Sequence, residues 1–135
     1  MTPFSLKIVT PDGTEFEGQV EEVVVRTTTG DMGVQARHAN CVAPLGMGQA
    51  MILAKGKKRY AACIGGMISV LDGQVRIVAT TFEWAENIDI DRAEASAQKA
   101  QTILSDKNAG DADIRMAEAR RKRALVRKGV ASGIK

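Results

Sequence analysis

Apolar and polar residues alternate along Phe4-Ser5-Leu6-Lys7-Ile8-Val9, and Pro11-Asp12-Gly13 follows with turn chemistry, which predicts a strand and then a turn. The same pattern, rich in β-branched residues and punctuated by glycine, recurs over Thr14 to Glu17, Val20 to Thr28, Gln49 to Lys55, Arg59 to Ile64, Met67 to Leu71 and Gln74 to Thr81. Asp72-Gly73 between two such runs is a hairpin signal, because glycine supplies the positive φ that a tight two-residue turn requires. Gly56-Lys57-Lys58 is expected to make a second turn. Short strands at close spacing with no helical pattern between them favour an antiparallel β sandwich or barrel over a parallel α/β sheet. Residues 1–85 are therefore expected to form one β domain.

The period changes after Trp84. Ile90, Ala93, Ala97, Ala100 and Leu104 recur at intervals of three and four, the spacing of one helical stripe. Asp91 with Glu94 fits a capping box at the start of this helix, and Asp89 is the alternative N-cap. Asn108-Ala109-Gly110-Asp111 ends the helix and begins another, as in a hairpin of two antiparallel helices over residues 86–135. The stripe is mostly alanine, so it permits close approach but removes little apolar area from water, at about 25 cal/mol per Å². The second helix, from about Asp111 to Val130, has no single apolar face: Ile114, Ala117 and Leu125 point away from Met116, Ala119 and Val126. Its basic residues are scattered around the axis, which predicts a helix held loosely by its own domain.

Composition fits one ordinary folded domain with an appendage: 135 residues, 44% hydrophobic and 26% charged. The net charge of +3 is too small to argue for nucleic acid or a membrane surface. Its distribution is more informative. From Asp111 to Lys135 there are 8 basic and 3 acidic residues, whereas residues 1–110 carry 11 basic and 13 acidic, so the basic charge gathers at the C-terminal end. The amino terminus shows no signal or transit pattern, and no apolar run approaches the roughly 20 residues of a membrane-spanning helix. A cytosolic protein, or one peripheral on a membrane assembly, is expected.

Catalytic chemistry finds little support. No Walker-type phosphate loop, dinucleotide fingerprint or nucleophile elbow is present. Cys41 and Cys63 stand 22 positions apart without a second pair, which indicates neither a zinc framework nor a disulfide scaffold, and no metal is expected. Both lie in apolar surroundings, where thiols are generally inert. The sole histidine, His38, lacks a ligand partner at suitable spacing. Arg120-Arg121-Lys122-Arg123, continued by Arg127-Lys128, suits phosphate, since guanidinium pairs with it bidentately; a solvated helix end is the alternative. RNA binding is disfavoured, because five aromatic residues show no stacking motif.

Gly30-Asp31-Met32-Gly33-Val34 with His38-Ala39, then Gly65-Gly66-Met67-Ile68-Ser69-Val70, then Ile88-Asp89-Ile90-Asp91-Arg92-Ala93 form, in this order and spacing, a specific combination. In these features, and over essentially its whole length, the chain resembles the epsilon-subunit family of bacterial F-type ATP synthases. The resemblance implies a β sandwich followed by a helical hairpin, in a non-catalytic subunit peripheral on the cytoplasmic face of the bacterial membrane. It implies that the sandwich grips the gamma subunit and touches the polar loops of the c-ring, with Asp31 and His38 in rotor-facing loops. Asn40 stands where that family often has proline.

The resemblance further implies a regulatory hairpin, folded against the sandwich or extended along gamma into the alpha/beta hexamer, where it obstructs ATP hydrolysis. Some members bind ATP in the folded hairpin as a regulatory ligand. Carried over to this sequence, Asp89 would accept from the adenine amino group, Arg92, Arg123 and Arg127 would neutralise phosphate, Glu83 would sit on the base side, and Ile88 opens the Ile-Asp-x-x-Arg-Ala run of the set. Lys99 stands where close relatives carry arginine, keeping charge but losing the fork. The competing reading, from another class, is a free-standing nucleotide or RNA sensor using the same basic helix.

Overall fold

The computed structural model describes residues 1–133; Ile134 and Lys135, the end of the expected hairpin segment, lie outside the described residues. Eight strands run in order: β1 (Phe4–Thr10), β2 (Gly13–Val20), β3 (Glu22–Thr27), β4 (Gly30–Val34), β5 (Cys41–Pro44), β6 (Met47–Ala54), β7 (Lys57–Leu71) and β8 (Gln74–Trp84). A 3-10 turn (Ala85–Asn87) leads to helices α1 (Ile90–Leu104) and α2 (Asp111–Ala131). Internal contacts divide the chain into a β unit, Met1–Trp84, and a helical unit from Ala85 onward.

The strand order is β2-β1-β8-β7-β6-β3-β4, with β5 paired to β7 as a branch. That branch defines the sandwich. The first half of β7 pairs with β6, from Ala54↔Lys57 to Met47↔Ile64, and its second half pairs with β5, from Pro44↔Met67 to Cys41↔Val70. One long strand therefore serves both layers, turning between them at Gly65 and Gly66. These two residues have φ +71° and +110°, and a Cβ on Gly66 would lie 1.9 Å from the Val78 carbonyl oxygen. Glycine is required there by both conformation and space. The corner is tied to the β5–β6 junction by Leu45 N–H donating to Gly66 O (2.9 Å) and Gly65 N–H donating to Gly46 O (3.0 Å).

Inward residues of both layers, including Leu6, Ile8, Val20, Val23, Val25, Ile52, Ile68 and Ile77, are fully or almost fully buried in one core. Period-two alternation along β1 and β8 produces this directly. At one margin Trp84 packs edge-on to Phe82 and Phe16 and carries the Arg59 guanidinium 3.6 Å from its ring centroid.

Several features differ from the sequence reading. β1 runs parallel to β8, from Ser5↔Gln74 to Val9↔Val78, within an otherwise antiparallel sheet. The expected strands over Arg59 to Ile64 and Met67 to Leu71 are halves of β7. The second predicted turn lies one residue earlier, at Lys55-Gly56 (φ 52° and 74°), joining Ala54 to Lys57. Strands β4 and β5 lie outside the runs that the alternation predicts.

In the helical unit the carboxylate Oδ1 of Asp89 accepts from Arg92 N–H at 3.0 Å, so Asp89 rather than Asp91 caps α1. The buried residues are Ala93, Ala97 and Ala100 on α1 and Ala117, Ala124 and Val130 on α2. Ile90, expected in the apolar stripe of α1, is exposed, as is Leu125 of α2. Gly110 caps α2 without a side-chain bond.

Candidate functional site

The hairpin's chemistry follows from helical phase, about 100° per residue. On α1, Arg92 and Lys99 lie seven residues apart and flank the alanine seam on one side, while Glu94 and Gln101 flank it on the other. On α2, Arg120, Arg123 and Arg127 occupy one flank of Ala117 and Ala124; Arg121 and Lys122 fall outside it. Two contacts orient the helices. Lys128 pairs with Glu94 on the acidic side of α1, and a groove of about 630 Å³ is lined jointly by Ile103 of α1 and Met116, Arg120 and Arg123 of α2. Ile103 shares the Arg92/Lys99 flank, so Arg92 and Lys99 of α1 stand on the same side of the hairpin as Arg120, Arg123 and Arg127 of α2. The other basic residues of α2, Arg115, Arg121, Lys122 and Lys128, lie off this flank.

Among the described residues, Arg92, Lys99, Arg120 and Arg123 have no carboxylate partner, whereas Glu94 on the opposite flank is neutralised by Lys128. Hydrogen bonds from Lys128 and then Gln98, with the ammonium charge of Lys128, hold the Glu94 carboxyl below its ordinary range. One flank is consequently a cationic strip suited to a polyanion.

The seven residues of the implied nucleotide set divide unequally. Arg92, Lys99, Arg123 and Arg127 share the cationic flank. Asp89 has its Oδ1 engaged in the helix cap, and Ile88 is buried. Glu83 belongs to the β unit, where it stands on β8 opposite Ala62 of β7. Arg120, part of the basic cluster that suits phosphate, stands outside the implied nucleotide set, and its alignment with Arg92 and Lys99 depends on the antiparallel docking.

On the β unit, Asp31 is on strand β4 rather than in a loop. It faces Arg26 across the β3–β4 ladder, and the Arg26 guanidinium donates to its Oδ1 at 3.2 Å. Arg26 is itself braced, since a Cβ on Gly48 would fall 2.5 Å from the Arg26 Cβ. The adjacent turn is closed by the buried Thr27, whose hydroxyl donates to Gly30 O at 2.7 Å. His38 does lie in a loop, between β4 and β5. Its Nδ1 is 2.8 Å from Ala39 O and 3.9 Å from the Cys41 sulfur.

The outer face of the same sheet carries an apolar row across four strands: Pro44 on β5 opposite Met67 on β7, Met67 opposite Val78 on β8, and Val78 opposite Val9 on β1. Met67 is 43% and Val78 48% exposed, with Val42 and Leu71 nearby at 64% and 63%. A contiguous apolar row of this kind marks an interaction face more readily than scattered single residues do. Cys63, by contrast, is buried, and burial pushes its thiol up to about 12. No cluster of three or more His, Cys, Asp or Glu suited to a metal occurs among the described residues, and none of their helices is long and apolar enough to cross a membrane.

Fold and sites together define a two-module protein, a tightly cored sandwich with an outward apolar row, followed by a lightly seamed helical hairpin with one cationic flank. The family model for the ATP synthase Delta/Epsilon chain beta-sandwich domain matches residues 3–85, and that for the long alpha-helix domain of the same chain matches residues 86–131. The chain belongs to the ATP synthase delta/epsilon chain family. It is 38% identical over 131 residues to the ATP synthase epsilon chain of Bacillus pumilus, covering 97% of this chain and 98% of that one. It is 40% identical over 115 residues to the epsilon chain of Bacillus subtilis, covering 85% and 86%. In fold it is similar to a chain of the Euglena gracilis mitochondrial ATP synthase structure (OSCP/F1/c-ring), with TM-score 0.84, 22% identity and coverage of 100% and 83%. A chain of the Tetrahymena thermophila central stalk/c-ring structure aligns with TM-score 0.62 and 14% identity, covering 94% and 95%.

Proposed function

We propose that this chain is a non-catalytic central-stalk subunit of a rotary ATP synthase, peripheral on the cytoplasmic face of a bacterial membrane, whose hairpin regulates ATP hydrolysis. The observation that carries the regulatory reading is the contrast within the hairpin. Its helix–helix seam is built of alanines, while one flank gathers Arg92, Lys99, Arg123 and Arg127. Alanine contacts remove little apolar area, so the clasp is weak relative to the β core, and the cations give the hairpin something to gain from a polyanion or an acidic protein surface. Folded, the hairpin permits rotation; extended along gamma, it enters the alpha/beta hexamer and obstructs hydrolysis.

The sandwich is the anchoring module. Its Pro44–Met67–Val78–Val9 row suits docking on the gamma subunit, and Asp31 and His38 supply polar contacts for the c-ring loops. ATP is the regulatory ligand of the folded hairpin: Asp89 retains its second carboxylate oxygen for the adenine amino group, Ile88 stands beside it, and the arginines with Lys99 take the phosphates. A ligand bound only to the folded form stabilises it by RT ln(1 + [L]/Kd), about 2.7 kcal/mol at a hundredfold excess over Kd, which is enough to decide a balanced switch.

The test is truncation after Trp84 in the assembled complex. The sandwich should remain bound to gamma while ATP hydrolysis rises, because the hairpin is gone. Hydrolysis unchanged by the truncation would remove the inhibitory role.

A further inference from the structure

Arg120 is the cation of the shared flank that the nucleotide set leaves unused. It is exposed, lies one turn from Arg123 toward the hairpin turn, and lines the same groove as Arg123. No ion pair or hydrogen bond holds its guanidinium among the described residues.

The nucleotide reading gives the flank a direction. With the base at Asp89, at the start of α1, the phosphate chain runs toward the hairpin turn. Asp89 and Lys99 are ten residues apart, about 15 Å along the helix, and Arg127, Arg123 and Arg120 form a parallel ladder about 10 Å long on α2. Successive phosphates therefore move from Arg92 and Arg127 toward Lys99, Arg123 and finally Arg120. Beyond Arg120 the groove is lined by Asp106 and Asp113. Their charge repels phosphate, so the favourable path for an anion ends at Arg120.

We propose that Arg120 is the distal-phosphate residue of this site: it contacts the third phosphate of a nucleoside triphosphate and sets the preference for triphosphate over diphosphate. This assignment rests on the nucleotide reading of the hairpin. A planar guanidinium at the end of the ladder pairs bidentately with a terminal phosphate, and a diphosphate stops short of it. A bidentate, charge-assisted contact of this kind is worth about tenfold in affinity.

Titration calorimetry of the full chain with ATP and with ADP tests the assignment, using the wild type, Arg120→Ala, Arg120→Lys and Arg123→Ala, with helical content checked by circular dichroism. Arg120→Ala should weaken ATP about tenfold and leave ADP within about twofold, with Arg120→Lys between it and wild type, while Arg123→Ala weakens both ligands. If the wild type binds ATP but Arg120→Ala leaves the ATP-to-ADP ratio unchanged, the Arg120 assignment is overturned and the nucleotide site stands. If the wild type binds neither ligand at millimolar concentration, both fall together.

Discussion

Asn40 and Asp72, 32 positions apart, hold each other at two points: Asn40 Oδ1 accepts from Asp72 N–H at 2.8 Å, and Asn40 Nδ2 donates to Asp72 Oδ1 at 3.3 Å. Asp72 opens the β7–β8 turn with φ 50°, and Asn40 ends the loop that carries His38. The loop is thus tied to a rigid hairpin by an amide. Asn40→Ala should cost about 1 kcal/mol and raise hydrogen exchange at the Asp72 amide, since a net hydrogen bond is worth about 0.5–1.5 kcal/mol. A double-mutant cycle with Asp72→Ala checks the side-chain bond, because the backbone N–H of residue 72 survives that substitution; strict additivity would mean that the Asn40 Nδ2 bond to the Asp72 carboxylate does not hold the loop.

Gly66→Ala places a methyl group against the Val78 carbonyl at a φ of +110°. Strain at such a conformation costs about 1–3 kcal/mol, and backbone must also shift to relieve the overlap. The denaturation midpoint of the sandwich should fall by an amount equivalent to about 3 kcal/mol or more. Gly56→Ala, whose added Cβ has nothing within 4 Å, carries only the φ penalty and should fall less.

Acid should loosen the hairpin through Glu94. Its carboxyl is held low in the folded state, chiefly by the hydrogen bond from Lys128. Above the ordinary carboxylate value of 4.5 the pair's stabilisation is fully present, and it is lost as pH falls through the lowered folded value. Hydrogen exchange at α1 and α2 amides, compared between wild type and Glu94→Gln, measures this. The wild type should lose protection on acidification toward the level of the variant, whose own protection should lack that component of the pH dependence.

Much of the fold is written locally. β8 alternates cleanly, and Asp72-Gly73, with φ 50° and 81°, makes the tight turn its residues announce. Strands β4 and β5 are not legible that way: Gly30-Asp31-Met32-Gly33-Val34 contains two glycines, and Cys41-Val42-Ala43-Pro44 is four residues ending in proline. They are strands because β3 and β7 offer them ladders, which is a tertiary fact. The parallel pairing of β1 with β8 joins segments about 70 positions apart and leaves no local trace. Gly65-Gly66 was readable as an interruption but not as a bend within one strand. For the hairpin, residue types and spacing indicate its cations, whereas only the packing shows that Arg120 joins Arg92 and Lys99.

The two thiols should behave differently. Cys63 is buried with its thiol raised to about 12, so almost none is thiolate at neutral pH; Cys41 is half-buried beside His38. A maleimide should label Cys41 in the native protein and reach Cys63 only after denaturation, as mass spectrometry of the labelled peptides will show. Labelling of Cys63 at a native rate equal to that of Cys41 would contradict the packing.

A row of identical methyl groups is a ruler without graduations. The buried residues are Ala93, Ala97 and Ala100 on α1 and, besides Val130, Ala117 and Ala124 on α2, and nothing in the shape of an alanine distinguishes one alignment from another displaced by a turn. Registration of α1 on α2 therefore falls to the unlike elements, the short connection before Gly110 and the bond between Glu94 and Lys128. Those two act as the index marks of the hairpin, and a helix freed from them keeps no imprint of where it had rested.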